Sequence, residues 1–156
     1  MKEQVLLDEL DRRILNQLQQ DASLSNIALA RLVHASAPTC LRRVKRLHAL
    51  GVIEKQLVIV SPAKVGGGLD VIVEISLDRQ TAEDYNAFET LVQKAAEVLQ
   101  CYRVSAGSDF VLILQLADMA AYHDLVHRLF TTATNVRNVR AFFSVHRSKF
   151  ETRIVV

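Results

Sequence analysis

The sequence predicts an α+β chain in two parts: a three-helix N-terminal region with a linker strand over residues 1–60 and a C-terminal region over 61–156 whose elements run βαββαβ. Three observations carry this. Apolar residues recur at three-and-four spacing in three short stretches before Gly51, whereas β-rich runs alternate with helical stripes after Gly68. Between them, Ser61-Pro62 and Gly66-Gly67-Gly68 interrupt both patterns, so the boundary lies between Gly51 and Gly68.

The first helix is expected over Asp8 to Gln20, with Leu7, Leu10, Ile14, Leu15 and Leu18 on its apolar side, Asp8 as cap and Asp11 suiting the helix dipole. The pattern restarts at Ser25, another cap, and Ile27, Ala30, Leu32 and Val33 supply the inner face of a short second helix. His34-Ala35 is a tight connection into the third. There Ser36 is the N-cap, Pro38 sits in the first turn where its missing N–H costs nothing, and Gly51 fits the left-handed position that closes a helix.

The third helix has two faces. Cys40, Leu41, Val44 and Leu47 form an apolar stripe, while Thr39, Arg42, Lys45, Arg46 and Ala49 project away from it and Arg43 lies on its flank. Clustered cations repel one another unless something anionic lies along their face. Overall charge is only +2, yet residues 31 to 56 hold six Lys/Arg and one acid, Glu54, which favours phosphate as the partner. Three short helices with the cations on the third form a helix-turn-helix pattern, in which the second braces the third for entry into a DNA major groove. Ala37, Pro38, Thr39 and Arg42 are the candidate base readers, and Ser36, Arg43, Lys45 and Arg46 the candidate phosphate contacts.

Residues 52–60 (VIEKQLVIV) are β-rich and read as a strand leaving the DNA-binding part. Beyond the glycines come strands at 70–77, 99–105, 109–116 and about 136–146, with helices at about 82–98 and 118–131. The helices carry single apolar stripes, Phe88, Leu91, Val92, Ala95, Val98 and Tyr122, Leu125, Val126, Leu129, Phe130, so each must cover a sheet. Two helices on one face of a four-stranded antiparallel sheet is the ferredoxin-like solution. Its other face stays uncovered. Val111 to Leu114 is apolar without alternation, which calls for burial on both faces, and a second copy of the chain is the simplest cover.

The chain resembles the Lrp/AsnC family of bacterial and archaeal regulators. The residues that carry the resemblance are Leu7 to Leu15 with Leu18, Leu24 to Ala30, Cys40 to Leu47 running into Gly51-Val52-Ile53, and Glu97 to Val104 followed by Gly107-Ser108-Asp109-Phe110. The resemblance implies a winged DNA reader joined to a ferredoxin-like domain that dimerises, assembles further to an octamer, and binds an amino acid at contacts between dimers. It places that effector at Ser105, Gly107, Ser108 and Asp109. Gly107 would let the backbone approach a ligand and Asp109 would accept from an ammonium group; read without the resemblance, the residues favour a plain β-turn with Asp109 capping backbone amides. Against the family pattern, His34 stands where glycine is common, Ala35 replaces a larger apolar residue, Ser23 a frequent arginine, and Ser108 a frequent aromatic or acidic residue.

Other chemistry has little to stand on. His123 and His127, four apart, could meet one metal, but no third ligand accompanies them, so no metal site is expected. Ser105 and Ser108 lack a His–Asp pairing, and Gly66-Gly67-Gly68 lacks the Lys-Ser/Thr of a phosphate loop. Cys40 and Cys101 lie in apolar patterns and read as buried thiols. Some siroheme decarboxylases resemble the same two-domain family, and His34, His48, His123, His127 and His146 would be the haem-contacting pool of that alternative. Such an enzyme has no use for an outward cationic helix. The expectation is therefore a regulator, not an enzyme, with no catalytic residues and no cofactor. No apolar run approaches the roughly 18–20 residues of a membrane span, and Met-Lys-Glu-Gln does not open a signal peptide, so a cytoplasmic protein without a membrane partner is expected.

Overall fold

A computed structural model describes residues 5–131 and 135–156; the Met-Lys-Glu-Gln start lies outside them. The described residues form two units. One runs to Ile59 and takes in Lys149–Val156, so these last eight residues, expected with the C-terminal domain, group with the N-terminal one; the other spans Val60–Ser148.

The N-terminal unit holds α1 (Glu9–Gln20), α2 (Asn26–Leu32) and α3 (Ala37–Ala49). Asp8 caps α1 in a reciprocal box: the Asp11 amide donates to Asp8 Oδ1 at 2.9 Å, and the Asp8 amide to Asp11 Oδ2 at 3.3 Å. Ile14, Leu15, Leu29, Ala30, Val33, Cys40 and Leu47 form the core, with Val156 packed against it. Three inward assignments differ. Ile27 and Leu32 are 59% and 50% exposed, because seven-residue α2 turns the Leu29, Ala30, Val33 stripe inward. Likewise Leu41 is exposed, leaving Cys40, Val44 and Leu47 at i, i+4 and i+7 as the inner stripe of α3.

Both ends of the α2–α3 hairpin close in the same way. After α2 the His34 amide donates to Arg31 O and the Ala35 amide to Ala30 O; after α3 the Gly51 amide donates to His48 O and the Val52 amide to Leu47 O. This geometry requires a left-handed residue, supplied by His34 (φ +54) and Gly51 (φ +68). The strand expected at 52–60 does not form among the described residues. Val52 and Ile53 turn back onto Leu47 instead, and Leu57 to Val60 are exposed without a ladder partner, which a strand requires.

The second unit opens with a 3₁₀ turn, Pro62–Lys64, followed by β1 (Leu69–Leu77), α4 (Ala82–Gln93), β2 (Val98–Arg103), β3 (Phe110–Leu116), α5 (Met119–Val126) and β4 (Val136–Phe143). The sheet order is β2-β3-β1-β4, antiparallel throughout. That is the ferredoxin-like topology. Helix α4 ends at Gln93, short of Val98, because Ala95 reaches the core from a turn and Val98 from β2. Beyond α5, His127–Thr131 form a π-helical turn that sends Leu129 and Phe130 into the same core.

Alternation along the two central strands separates the faces. Val71, Val73, Ile75, Leu77 and Phe110, Leu112, Leu114, Leu116 face α4 and α5. Ile72, pairing with Ile113 and Phe142, lies on the opposite face, as does Val111, pairing with Tyr102. Ile72, Tyr102 and Phe142 are 42%, 53% and 41% exposed there.

Candidate DNA interface and effector turn

Helix α3 is fixed at its start by two contacts. Ser36 accepts from the Thr39 amide and donates its hydroxyl proton to Thr39 Oγ1 at 2.8 Å, while the Asn26 side-chain amide on α2 donates to Ala37 O at 2.8 Å. The second of these is the brace expected of a helix-turn-helix pair. Ser36 and Pro38 are exposed, Thr39 is half-buried, and Ala37 packs partly against the core.

The four cations divide into two pairs. Arg42 and Lys45 are exposed and have no carboxylate partner among the described residues. Arg43 and Arg46 turn back onto the N-terminus of α1. Arg43 Nη1 pairs with Asp8 and lies 3.2 Å from Asp11 Oδ1; Arg46 Nη1 donates to Asp11 Oδ2 at 2.9 Å. Asp11 is fully buried, while the Arg43 and Arg46 side chains are 25% and 43% exposed. An open cleft of about 450 Å³, lined by Leu6, Leu7 and these charged groups with Arg42, lies over the network.

The Asp11 amide, with Arg43, holds the Asp8 carboxyl below its ordinary range, and the hydrogen bond that Arg43 donates to Asp8 raises Arg43. The expected phosphate role of Arg43 and Arg46 thus competes with an internal partner. Sequence reasoning placed Asp8 and Asp11 only as cap and dipole partners. The missed signal was two acids three apart on a helix facing two cations three apart on another.

In the second unit the turn before β3 presents Ser105, Ala106 and Gly107 to solvent, with Ser108 half-buried. Gly107 has φ +84 and open space where a Cβ would stand. Asp109 is different: only 7% exposed, it accepts from the Leu77 amide at 2.7 Å and from the Tyr85 hydroxyl at 3.1 Å. Its own amide donates to Ile75 O at 2.8 Å. Burial, then the bond to Asp109, pushes Tyr85 up. Arg103 lies 4.5 Å above the Tyr85 ring and pairs with Glu89 at 2.7 Å. Asp109 therefore joins the turn to β1 and α4, and Tyr85, which sequence reasoning did not single out, is its second anchor.

Residues 70–154 match the Lrp/AsnC ligand binding domain, and residues 7–54 match a winged helix-turn-helix DNA-binding domain. The chain belongs to the Lrp/AsnC family. Leucine-responsive regulatory protein of Escherichia coli is 35% identical over 150 residues, 96% of this chain and 92% of that one. An uncharacterized HTH-type transcriptional regulator of Haemophilus influenzae is 37% identical, covering 96% of this chain and 89% of its own. Among solved structures, a transcriptional regulator from Neisseria meningitidis in complex with L-Met superposes with a TM-score of 0.88 at 29% identity, covering 96% of each chain. An AsnC family regulator from Agrobacterium tumefaciens gives 0.88 at 31%, covering 95% of this chain and 96% of that one. The Lrp/AsnC chain described here is a DNA-binding transcriptional regulator, and no helix among its described residues is long and apolar enough to cross a membrane.

Proposed function

We propose that this Lrp/AsnC regulator reads specific sequences in double-stranded DNA through α3 and changes that binding in response to an amino acid. The observation that carries the DNA reading is the pair of exposed cations without a carboxylate partner among the described residues, Arg42 and Lys45, on a helix whose first turn is capped by Ser36 and braced by Asn26. Arg42, with Pro38 and Thr39, faces the bases; Lys45 and Ser36 meet phosphate; Ala37 mainly packs.

An amino-acid effector is supported by the L-Met complex of the Neisseria regulator. The turn offers it the exposed Gly107 backbone and the Ser105 and Ser108 hydroxyls, with Asp109 shaping the turn from inside. The chain works in the cytoplasm without a cofactor, as a homodimer joined through the open sheet face and assembled further to an octamer. Relatives named as regulators favour this over a siroheme-decarboxylase-like enzyme.

The test is a binding screen of the twenty amino acids by calorimetry, with particle size and promoter-DNA mobility measured alongside. One or a few amino acids should bind and shift assembly or DNA affinity, because an effector acts only through differential affinity for two states. Saturable tetrapyrrole binding with turnover, and no shift of promoter DNA, would overturn the regulator reading.

A further inference from the structure

Phosphate contact is the usual fate of four cations within five positions of a DNA-reading helix, yet half of them here are met inside the protein. We infer that Asp8 and Asp11 are specificity-determining positioning residues: an anionic clamp on α1 that withholds Arg43 and Arg46 from the DNA backbone and fixes the rotation of α3. The inference rests on the DNA reading above.

The geometry suits the role. Asp11 is fully buried and both its oxygens are used, Oδ1 by Arg43 and Oδ2 by Arg46 and the Asp8 amide. Arg43 bridges Asp8 and Asp11 through one nitrogen, so the middle of α3 is tied to the first turn of α1 at two points. Held between two carboxylates, the Arg43 guanidinium is restrained from swinging away from α1. Since α3 rises 1.5 Å and turns about 100° per residue, fixing residues 43 and 46 also fixes where Arg42 and Lys45 point.

The consequence for binding follows from counterion release. Each phosphate neutralised by a protein cation adds about 0.9 to the slope of log affinity against log salt, for any sequence alike. A helix spending all four cations on phosphate would hold random DNA more tightly and discriminate less. With two neutralised internally, the sequence-independent part of binding is limited and the base contacts weigh more.

The test uses the full-length chain and two duplexes, one of mixed sequence and one enriched by the wild-type protein from a random pool, between 50 and 200 mM salt. D8N and D11N should each steepen the salt slope on mixed-sequence DNA by up to about one unit, so that affinity for it falls about threefold more between 50 and 200 mM salt per freed cation and is higher than wild type at 50 mM. Preference for the enriched duplex should fall. R43Q and R46Q should lower that preference too, with the slope unchanged. Loss of about one slope unit in each arginine variant would show that these residues already contact phosphate and would overturn the clamp; so would aspartate variants that weaken both duplexes equally at unchanged slope. Should D11N unfold, D8N, whose side chain is half exposed, and the two arginine variants still decide. If the wild-type chain bound neither duplex, the DNA reading itself would fail.

Discussion

His34 holds a backbone conformation (φ +54) that side chains bearing a Cβ reach only at a cost of roughly 1–2 kcal/mol. The turn needs it, since the His34 and Ala35 amides close α2 onto Arg31 and Ala30. Offset by the greater freedom of glycine in the unfolded chain, His34→Gly is expected to raise stability by up to about 1 kcal/mol, and His34→Val to lower it by about 1–2, read by urea unfolding. Asp109 works in the opposite sense. Asp109→Ala strands the Leu77 amide and the Tyr85 hydroxyl, so it should cost roughly 1–3 kcal/mol, with Tyr85→Phe costing less. Full native stability in Asp109→Ala would return that carboxylate to the list of direct effector contacts. Asp8 adds a pH dependence. Its carboxyl titrates lower in the folded chain than the ordinary 3.8, so its contribution is complete above that value and is lost as pH falls through the lowered one. Asp8→Asn should therefore flatten the acid limb of the unfolding curve of the N-terminal unit, monitored by circular dichroism between pH 5 and pH 2.

At the scale of elements, α3 was the most legible part of the chain, because cap, proline and closing glycine all act locally and agree, with only Leu41 of the expected stripe turned outward. What its sequence did not disclose was the pairing of Arg43 and Arg46 with α1, a contact across 32 to 35 residues that periodicity cannot see. The same limit explains the missing strand at 52–60: β-rich composition says that a segment fits a ladder, not that a partner strand is present. In the effector turn the chain reversal at Gly107 was legible, whereas the inward rotation of Asp109 depends on Tyr85 and Leu77, which lie 24 and 32 residues away. Helix α3 also yields a prediction that separates Arg42 from Lys45, its two cations with no carboxylate partner among the described residues. Arg42→Ala should relax sequence preference at a cost of about 1–3 kcal/mol on the preferred duplex, whereas Lys45→Ala should weaken all duplexes alike and reduce the salt slope by about one. Equal effects on preferred and random DNA in both variants would place neither residue at a base edge.

At the scale of the whole molecule, the open face of the sheet is what a single copy leaves unresolved. Cross-strand neighbours Phe142, Ile72 and Ile113 run across it in one row that ends on Gln100, and Arg140, Glu74, Val111 and Tyr102 in the next. The second row carries its own balance, since Arg140 lies 3.7 Å from Glu74 and 5.0 Å from the Phe142 ring centroid. An apolar row beside a paired-charge row suits an isologous contact, in which the same patch meets itself about a two-fold axis and each charge finds a partner. Burying apolar surface at about 25 cal/mol per Å² favours that contact over exposure, and a central polar substitution should remove the gain while leaving the helix-covered core on the other face intact. The full-length double variant Ile72→Glu, Phe142→Glu should therefore remain folded by circular dichroism but sediment at a smaller mass than the wild type at micromolar concentration. Its affinity for a duplex bearing two half-sites should fall, because a pair of α3 helices no longer arrives together, while binding to a single half-site changes little. A variant of undiminished mass would place the interface elsewhere, and the exposed apolar residues Leu57 to Val60 would then be the next surface to substitute.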